Sequence, residues 1–415
     1  MRRKAKLLFV SVFGNALEFY DFTLYGVFAA VLATHFFPHS DPTSSLLASW
    51  GAFAAGFIMR PFGAIIFGHI GDKMGRKKAL TLSIALMGLP TFIIGCLPTY
   101  DAIGLYAPVI LILCRLLQGI CTGGEYNGAA IYALEHMGNN RPGFSSGMIA
   151  GSCVIGALAA TGIASIVLKE GMPTWAWRLP FFLGAFISAI GFYMRRNMSE
   201  TPAFKTTQKM FSKKPPLLEA LSAHPKSALL TISLAGMNGA LAYTLFGFLS
   251  TYLSHYLHLP LSQTMQFTMI GLLSFCVTCP FMGIFMDRVG ENRYFLYAAS
   301  FIIVTVWPIF MAFQNASTTG LVFGQLMLGF LTGSIAGPAH AYIQRLFPVQ
   351  NRYSGISFNF SLGMSLIGGT TPLILIKLVD TTQNLLVPAF YLGICALLLI
   401  IALLSTKNQK LHAHS

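Results

Sequence analysis

The sequence predicts an all-α integral membrane protein of twelve transmembrane helices, built as two six-helix bundles. Composition, apolar run length and the placement of basic residues carry that prediction. Hydrophobic residues make up 55% of the 415 residues and charged residues only 10%, whereas an average soluble domain carries roughly 25% charge. Apolar stretches recur from end to end, each about the 20 residues that a helix needs to cross roughly 30 Å of hydrocarbon at 1.5 Å per residue.

The predicted spans are 7–37, 46–70, 79–98, 102–136, 143–168, 176–195, 226–257, 262–286, 294–314, 318–346, 353–379 and 385–405. Between the sixth and seventh lies a polar insert, 196–225, with Lys205, Lys209, Lys213, Lys214, Pro215 and Pro216. Its composition reads as a solvated linker with short surface helices, which divides the chain into 1–195, 196–225 and 226–415.

An even number of spans puts both termini on one side, and Arg2, Arg3, Lys4 and Lys6 nominate the cytoplasm. All 27 lysines and arginines fall in predicted cytoplasmic segments except Lys169, Arg178 and Lys377 outside and Arg60 and Arg115 within spans. The net charge of +14 therefore follows from the positive-inside rule. Nucleic-acid binding is not needed to explain it, since the charges sit in separate short loops and form no recognition motif. The first apolar stretch is too long for a signal-peptide core and no small-residue cleavage site follows it, so span 1 is expected to remain in the chain. The seven cysteines all lie in apolar spans, where cysteine packs as a small hydrophobe. Cys276 and Cys279 form a lone C-x-x-C that lacks the second pair of a metal site, and no metal or cofactor is expected. Without a nucleophile and base pair, a phosphate loop or a metal cluster, the chain is not expected to be an enzyme.

An ionisable group at membrane depth costs on the order of 2.5–3.5 kcal/mol and so faces a cavity or a partner. Of the 13 acids, Glu18, Asp21 and Glu125 lie well inside spans. Among the cations Arg115 is near the middle of a span, with Arg60 closer to an end. Glu18, Asp21 and Tyr25, three and four apart, share one face of span 1. On span 4, Arg115, Gln118, Thr122 and Tyr126 recur at helical spacing, with Glu125 about a quarter turn aside. Asp21 and Arg115 fall at similar depth. A carboxylate that alternates between an arginine-paired and a desolvated state can take up and release a proton, while a fixed ion pair that sets helix register is the alternative. Glu18, Asp21, Arg115 and Glu125 are the proton-coupling candidates.

Gly68-His69-Ile70-Gly71-Asp72-Lys73-Met74-Gly75-Arg76-Lys77-Lys78, between spans 2 and 3, resembles the loop signature of the major facilitator superfamily, G-x-x-x-D-x-x-G-R-[KR]. A weaker copy stands between spans 8 and 9 as Gly283-Ile284-Phe285-Met286-Asp287-Arg288-Val289-Gly290-Glu291-Asn292-Arg293. Two related halves account for the six-plus-six count. Further segments are similar to one branch, the metabolite:proton symporters that include proline/betaine, α-ketoglutarate and shikimate permeases. They are Gly14-Asn15-Ala16-Leu17-Glu18-Phe19-Tyr20-Asp21-Phe22, Arg115-Leu116-Leu117-Gln118-Gly119-Ile120-Cys121-Thr122-Gly123-Gly124-Glu125-Tyr126, Trp177-Arg178-Leu179-Pro180-Phe181-Phe182, Arg195-Arg196 with Glu200-Thr201-Pro202-Ala203-Phe204, and Arg352-Tyr353-Ser354-Gly355.

The resemblance implies the pseudo-symmetric major facilitator fold and a monomeric importer in the bacterial inner membrane, surrounded by lipid and driven by protons through alternating access. It also implies a cytoplasmic gate formed by Gly68, Asp72, Gly75, Arg76, Asp287 and Arg288. Asp72 would face the N-terminus of span 11, and Asp287 that of span 5. Spans 1, 4, 7 and 10 line the central cavity of such proteins. The substrate-binding candidates are therefore Asn15, Tyr20, Tyr25, Arg115, Gln118, Tyr126, Asn238, Tyr243, Phe246 and His340, with Asn359 of span 11.

The branch's substrates carry a carboxylate, which a guanidinium forks onto. The aromatics could enclose an ammonium group, which favours a zwitterion such as proline or betaine. Aromatics at helical spacing are more often packing, so the preference for a zwitterion is slight. A dicarboxylate, citrate or shikimate remains open and would want a second buried cation, for which Arg60 and a protonated His340 are the candidates. The chain ends shortly after span 12, so osmotic gating through a C-terminal coiled coil is not expected. A drug or siderophore exporter, a non-transporting receptor and a proton-independent uniporter share the architecture. Glycines of spans 4 and 5 read as close helix packing, and Gly337-Pro338 and Gly368-Gly369 as bends.

Overall fold

The computed structural model describes residues 13, 15–16, 19–21, 23–37, 42–137, 141–168, 171–207 and 215–406. Their regular structure is helical throughout. Eleven helices among them are long and apolar enough to cross a membrane, from Gly51–Lys73 to Val387–Ser405. They match spans 2 to 12 in order. The described residues of span 1 are helical up to Phe36 apart from a turn at Phe28. Linker residues form short helices at Pro202–Thr207 and Pro216–Ala223.

The chain divides into two compact units. Unit 1 comprises Met1–His136 and Ser152–Lys213, unit 2 Met137–Gly151 and Lys214–Ser415. The span 5 helix, Pro142–Val167, thus gives its first turns to unit 2 and the rest to unit 1.

The repeat predicted from the two loop signatures is visible in the backbone. Gly75 (φ +111°) and Gly290 (φ +90°) each precede a helix start, at Arg76 and at Glu291. Both adopt the positive φ that glycine alone tolerates cheaply. In each unit the corresponding helices pack through small residues. Gly119 lies against the backbone of Gly56, and Gly123 against Arg60 and Ala64, joining spans 2 and 4. Gly329 lies against Gly271 and Gly337 against Cys279, joining spans 8 and 10. Where water is absent, such close van der Waals approach holds helices together.

Helix irregularities fall where the sequence supplies a cause. Pro338 has no N–H to give the carbonyl four residues back, that of Ser334. The Tyr294 hydroxyl of span 9 donates to that carbonyl at 2.7 Å, so span 10 continues unbroken through Thr318–Gln344. Gly368 and Gly369 close a π-helical turn, Met364–Gly368, in which the Gly369 amide donates to Met364 O at 2.8 Å. Gly368 packs on Gly239 of span 7, and span 7 has π-helical turns of its own at Thr244–Phe248 and Tyr252–Tyr256.

Tyr294→Phe leaves the Ser334 carbonyl buried without its donor, at a cost of about 1–3 kcal/mol. Thermal unfolding of the purified protein in detergent should show a lower midpoint. An unchanged midpoint would mean that the bond contributes nothing.

Candidate functional site

In unit 1, Asp21 and Arg115 are both buried, at 3% and 2% exposure, and a chain of side-chain hydrogen bonds joins them. The Thr91 hydroxyl of span 3 donates to Asp21 Oδ2 at 3.0 Å. Gln118 Nε2 donates to Thr91 Oγ1 at 2.9 Å, and Arg115 donates to Gln118 Oε1 at 2.8 Å. Arg115 and Gln118 can meet because they lie three apart on span 4. Gly184 of span 6 makes room for the carboxylate, since a Cβ there would run into Asp21 Oδ1. Ser188, one turn on, lies beside the same carboxyl.

The Arg115 guanidinium lies 4.4 Å from the centre of the Tyr25 ring and 5.2 Å from that of Phe53, and these two rings stack at 6.0 Å. Such contacts stabilise a desolvated cation by up to about 2 kcal/mol. Beside it lies a small cavity of about 10 Å³, lined by Gly56, Arg60, Met87, Arg115, Gln118, Gly119 and Thr122, room for about one water. Arg60 thus shares a small cavity with Arg115. Its guanidinium rests over Phe57 at 4.4 Å.

Glu125 belongs to a different cluster. It pairs with Arg195 of span 6 and accepts from the Ser83 hydroxyl of span 3, while Arg195 also donates to Leu80 O at 3.0 Å. Arg195, expected at the solvated edge of the linker, is instead 2% exposed in the last turn of the span 6 helix, Leu179–Arg196. Glu18 lies outside the described residues. Asn15 donates to Ser152 Oγ at 2.9 Å and Cys153 Sγ at 3.3 Å on span 5. The Tyr20 and Tyr25 hydroxyls donate to the carbonyls of Pro180 and Ser49, so the rings are what these residues leave for other contacts. Tyr126 meets Phe19 edge-on at 5.9 Å.

In unit 2, Asn238 and Asn359 are buried, and Asn359 Nδ2 donates to Gly355 O at 2.7 Å. His340 tilts on Phe360 at 4.9 Å. Phe246 meets Phe275 edge-on at 5.8 Å, and Tyr243 is half-buried against Gly368.

The loop signatures form buried and half-buried polar networks. Arg76 pairs with Asp72 at 3.2 Å and Glu135 at 3.4 Å, donates to Gly71 O at 2.6 Å and lies 5.3 Å from the Phe204 ring. Gly68 is buried in the same stretch of helix. Glu200 accepts from the Arg76 and Lys77 amides at 3.1 and 3.2 Å, a carboxylate at a helix N-terminus, where the helix dipole favours it. That carboxylate occupies the place a Gly75 side chain would take. In unit 2, Asp287 accepts from the Gly143 and Phe144 amides at 2.9 and 3.4 Å, at the start of the span 5 helix. Arg288 beside it is exposed. Glu291, which stands where the first signature has Arg76, pairs with Arg345, and Asn292 accepts from the Tyr342 hydroxyl.

Sequence reasoning passed over Thr91, Gly184, Ser188, Ser83, Arg195 and Glu200 as partners of the buried charges. A hydroxyl in a span ordinarily bonds to its own backbone, as Thr91 does to Met87 O at 3.1 Å. A lone Thr or Ser therefore gives no sign of its second partner. Pro90-Thr91 inside an apolar run was the one local signal.

Two helical units, a buried acid and arginine, and a repeated cytoplasmic-type loop define a multi-pass membrane transporter. The family model of the Major Facilitator Superfamily matches residues 11–372, and the chain belongs to that family. It is 33% identical over 419 residues to the proline/betaine transporter of Salmonella typhimurium, covering 97% of this chain and 83% of that one. It is 34% identical over 412 residues to the glycine betaine/proline/ectoine/pipecolic acid transporter OusA of Dickeya dadantii, covering 95% and 82%. It is also 33% identical over 421 residues to the inner membrane metabolite transport protein YhjE of Escherichia coli, covering 98% and 94%. The proton:xylose symporter XylE has the same fold, with a TM-score of 0.80 at 12% identity over 99% of this chain and 97% of XylE.

Removing one partner of a buried ion pair costs about 3–5 kcal/mol, because it leaves the other charge uncompensated. Arg195→Met should therefore lower the unfolding midpoint sharply. Adding Glu125→Gln to it should return most of the loss, and a double variant no more stable than the single would argue against the pair.

Proposed function

We propose that this chain imports a small zwitterionic metabolite of the proline or betaine kind together with protons, by alternating access across the bacterial inner membrane, with both termini cytoplasmic. The observation that carries the reading is the pair of buried, oppositely charged groups, Asp21 and Arg115, joined through neutral side chains. Such a carboxylate can be protonated and deprotonated without a direct ion pair having to break. Arg115, held by aromatic faces, supplies a fixed positive charge for a substrate carboxylate. Relatives that match nearly the whole chain are named for transport of proline and betaine, one of them also for ectoine and pipecolic acid, which supports the zwitterion.

Glu125 then serves as a structural partner of Arg195 and not as a proton carrier. Asn15, Tyr20, Tyr25, Gln118 and Tyr126 of unit 1, and Asn238, Tyr243, Phe246, His340 and Asn359 of unit 2, are the remaining candidates for substrate contact. Asp72 with Arg76, and Asp287 with Arg288, act as the cytoplasmic gate, and the segment 196–225 as the linker between the halves. The protein works as a monomer in this reading. A dicarboxylate is the second reading, favoured by the nearness of two cationic side chains, Arg60 and Arg115, which line the same small cavity.

Purified protein in tight proteoliposomes with an imposed inward proton gradient, offered proline, glycine betaine, α-ketoglutarate, citrate and shikimate in parallel, should accumulate proline or betaine. Accumulation of a dicarboxylate instead would select the second reading, and gradient-independent movement would remove proton coupling. Asp21→Asn should abolish accumulation against a gradient while substrate exchange persists. Equal loss of both in folded protein would make Asp21 a binding or structural residue.

A further inference from the structure

The arrangement between Asp21 and Arg115 assigns each bond a direction. Guanidinium nitrogens only donate, so the oxygen of the Gln118 amide must face Arg115 and its nitrogen must face Thr91, in agreement with the 2.8 and 2.9 Å contacts. Thr91 Oγ1 therefore accepts from Gln118 whatever the state of Asp21. Its single proton is left with two acceptors in reach, Asp21 Oδ2 at 3.0 Å and Met87 O at 3.1 Å. A hydroxyl has one donor and two acceptor lone pairs, and it rotates to suit its neighbours.

We propose that Thr91 and Gln118 are positioning residues that hold Asp21 within the field of Arg115 and let it gain and lose a proton there, with the Thr91 hydroxyl turning between Asp21 and the Met87 carbonyl. When Asp21 is ionised, the Thr91 O–H donates to it. When Asp21 takes a proton from the aqueous phase, its own O–H donates to Thr91 Oγ1, and the Thr91 proton turns to Met87 O. Every donor stays paired in both states. The proton returns to the aqueous phase when Asp21 ionises again, and Arg115 keeps its charge throughout. With Asp21 neutral, Arg115 no longer shares its field with a carboxylate at the far end of the chain, and its attraction for a substrate carboxylate rises. Protonation and substrate binding then favour each other, as thermodynamic reciprocity requires.

The groups that face Asp21 are compatible with this role. Span 1 contributes the Tyr20 phenol beside it, span 3 the Thr91 hydroxyl, span 4 the Arg115 charge and span 6 the Ser188 hydroxyl and Gly184. Arg115 in turn faces Tyr25, Cys114 and Arg60. Beside the pair itself, Arg60 is thus the charged group facing it among the described residues.

The inference rests on the proton-coupled reading above, and the experiment separates the two. In proteoliposomes, wild-type protein should accumulate solute under a proton gradient, and failure to do so removes the underlying reading. Thr91→Val keeps the shape and removes the hydroxyl. It should carry solute exchange within about threefold of wild type while the accumulation ratio falls to equilibration and proton flux per solute drops. Thr91→Ser should restore both. Accumulation and proton flux at wild-type level in Thr91→Val overturn the proposal, as does loss of exchange together with accumulation in folded protein. Should Thr91→Val not yield folded protein, Thr91→Ala removes the same hydroxyl and is judged by the same criteria.

Discussion

Hydrocarbon offers an ionised side chain no water, and the arrangement of both units follows from that constraint. Among the described residues of unit 1, buried acids and arginines meet in three networks, each assembled from separate helices. Asp21 and Arg115 are joined through spans 3 and 4, Glu125 and Arg195 meet between spans 4 and 6, and Arg76 gathers Asp72 and Glu135 at the cytoplasmic-type loop. The glycines of spans 2, 4 and 6 are what allow the helices close enough for these side chains to meet. Packing and charge placement are thus one problem. A larger residue at Gly119 or Gly184 displaces either a neighbouring backbone or a carboxylate.

The networks differ in what they can do. Glu125 and Arg195 are in direct contact, so moving a proton onto the acid would strand the guanidinium. Asp21 and Arg115 are separated by two neutral, hydrogen-bonded side chains that can adapt to either protonation state. Direct pairing suits architecture, whereas an interposed hydroxyl suits a group that must titrate. The signature loops show that pairing outlasts the identity of the charges. Arg76 meets Glu135 in unit 1, and at the matching position of unit 2 Glu291 meets Arg345, with the signs exchanged and the tie between neighbouring spans kept.

The helical architecture was legible in the sequence because a run of apolar residues has one outcome in a bilayer. Spans 2 to 12 match the predicted ones to about one turn. The resemblance of both loops to one family signature announced the repeat, and its glycines, Gly75 and Gly290, both adopt the backbone that only glycine favours. Asp21 and Arg115 were legible because a charge in a span is conspicuous. Their connection was not, since Thr91 and Gln118 are ordinary polar residues whose partners are set by how spans 1, 3 and 4 pack. Arg195 was placed at the linker because it closes a span next to Arg196. Only the packing of Glu125 and Ser83 against it shows that the chain keeps this arginine inside. Tyr294 was similarly silent, its partner being a carbonyl freed by a proline on another helix.

The most direct test of Asp21 as the proton carrier is the proton exchange that accompanies solute binding to purified protein in weakly buffered detergent solution, followed with a pH indicator. Wild-type protein should take up protons when proline or betaine is added, and Asp21→Asn should bind the solute with no proton change. The same proton uptake in Asp21→Asn would contradict the assignment and move the coupling to another group.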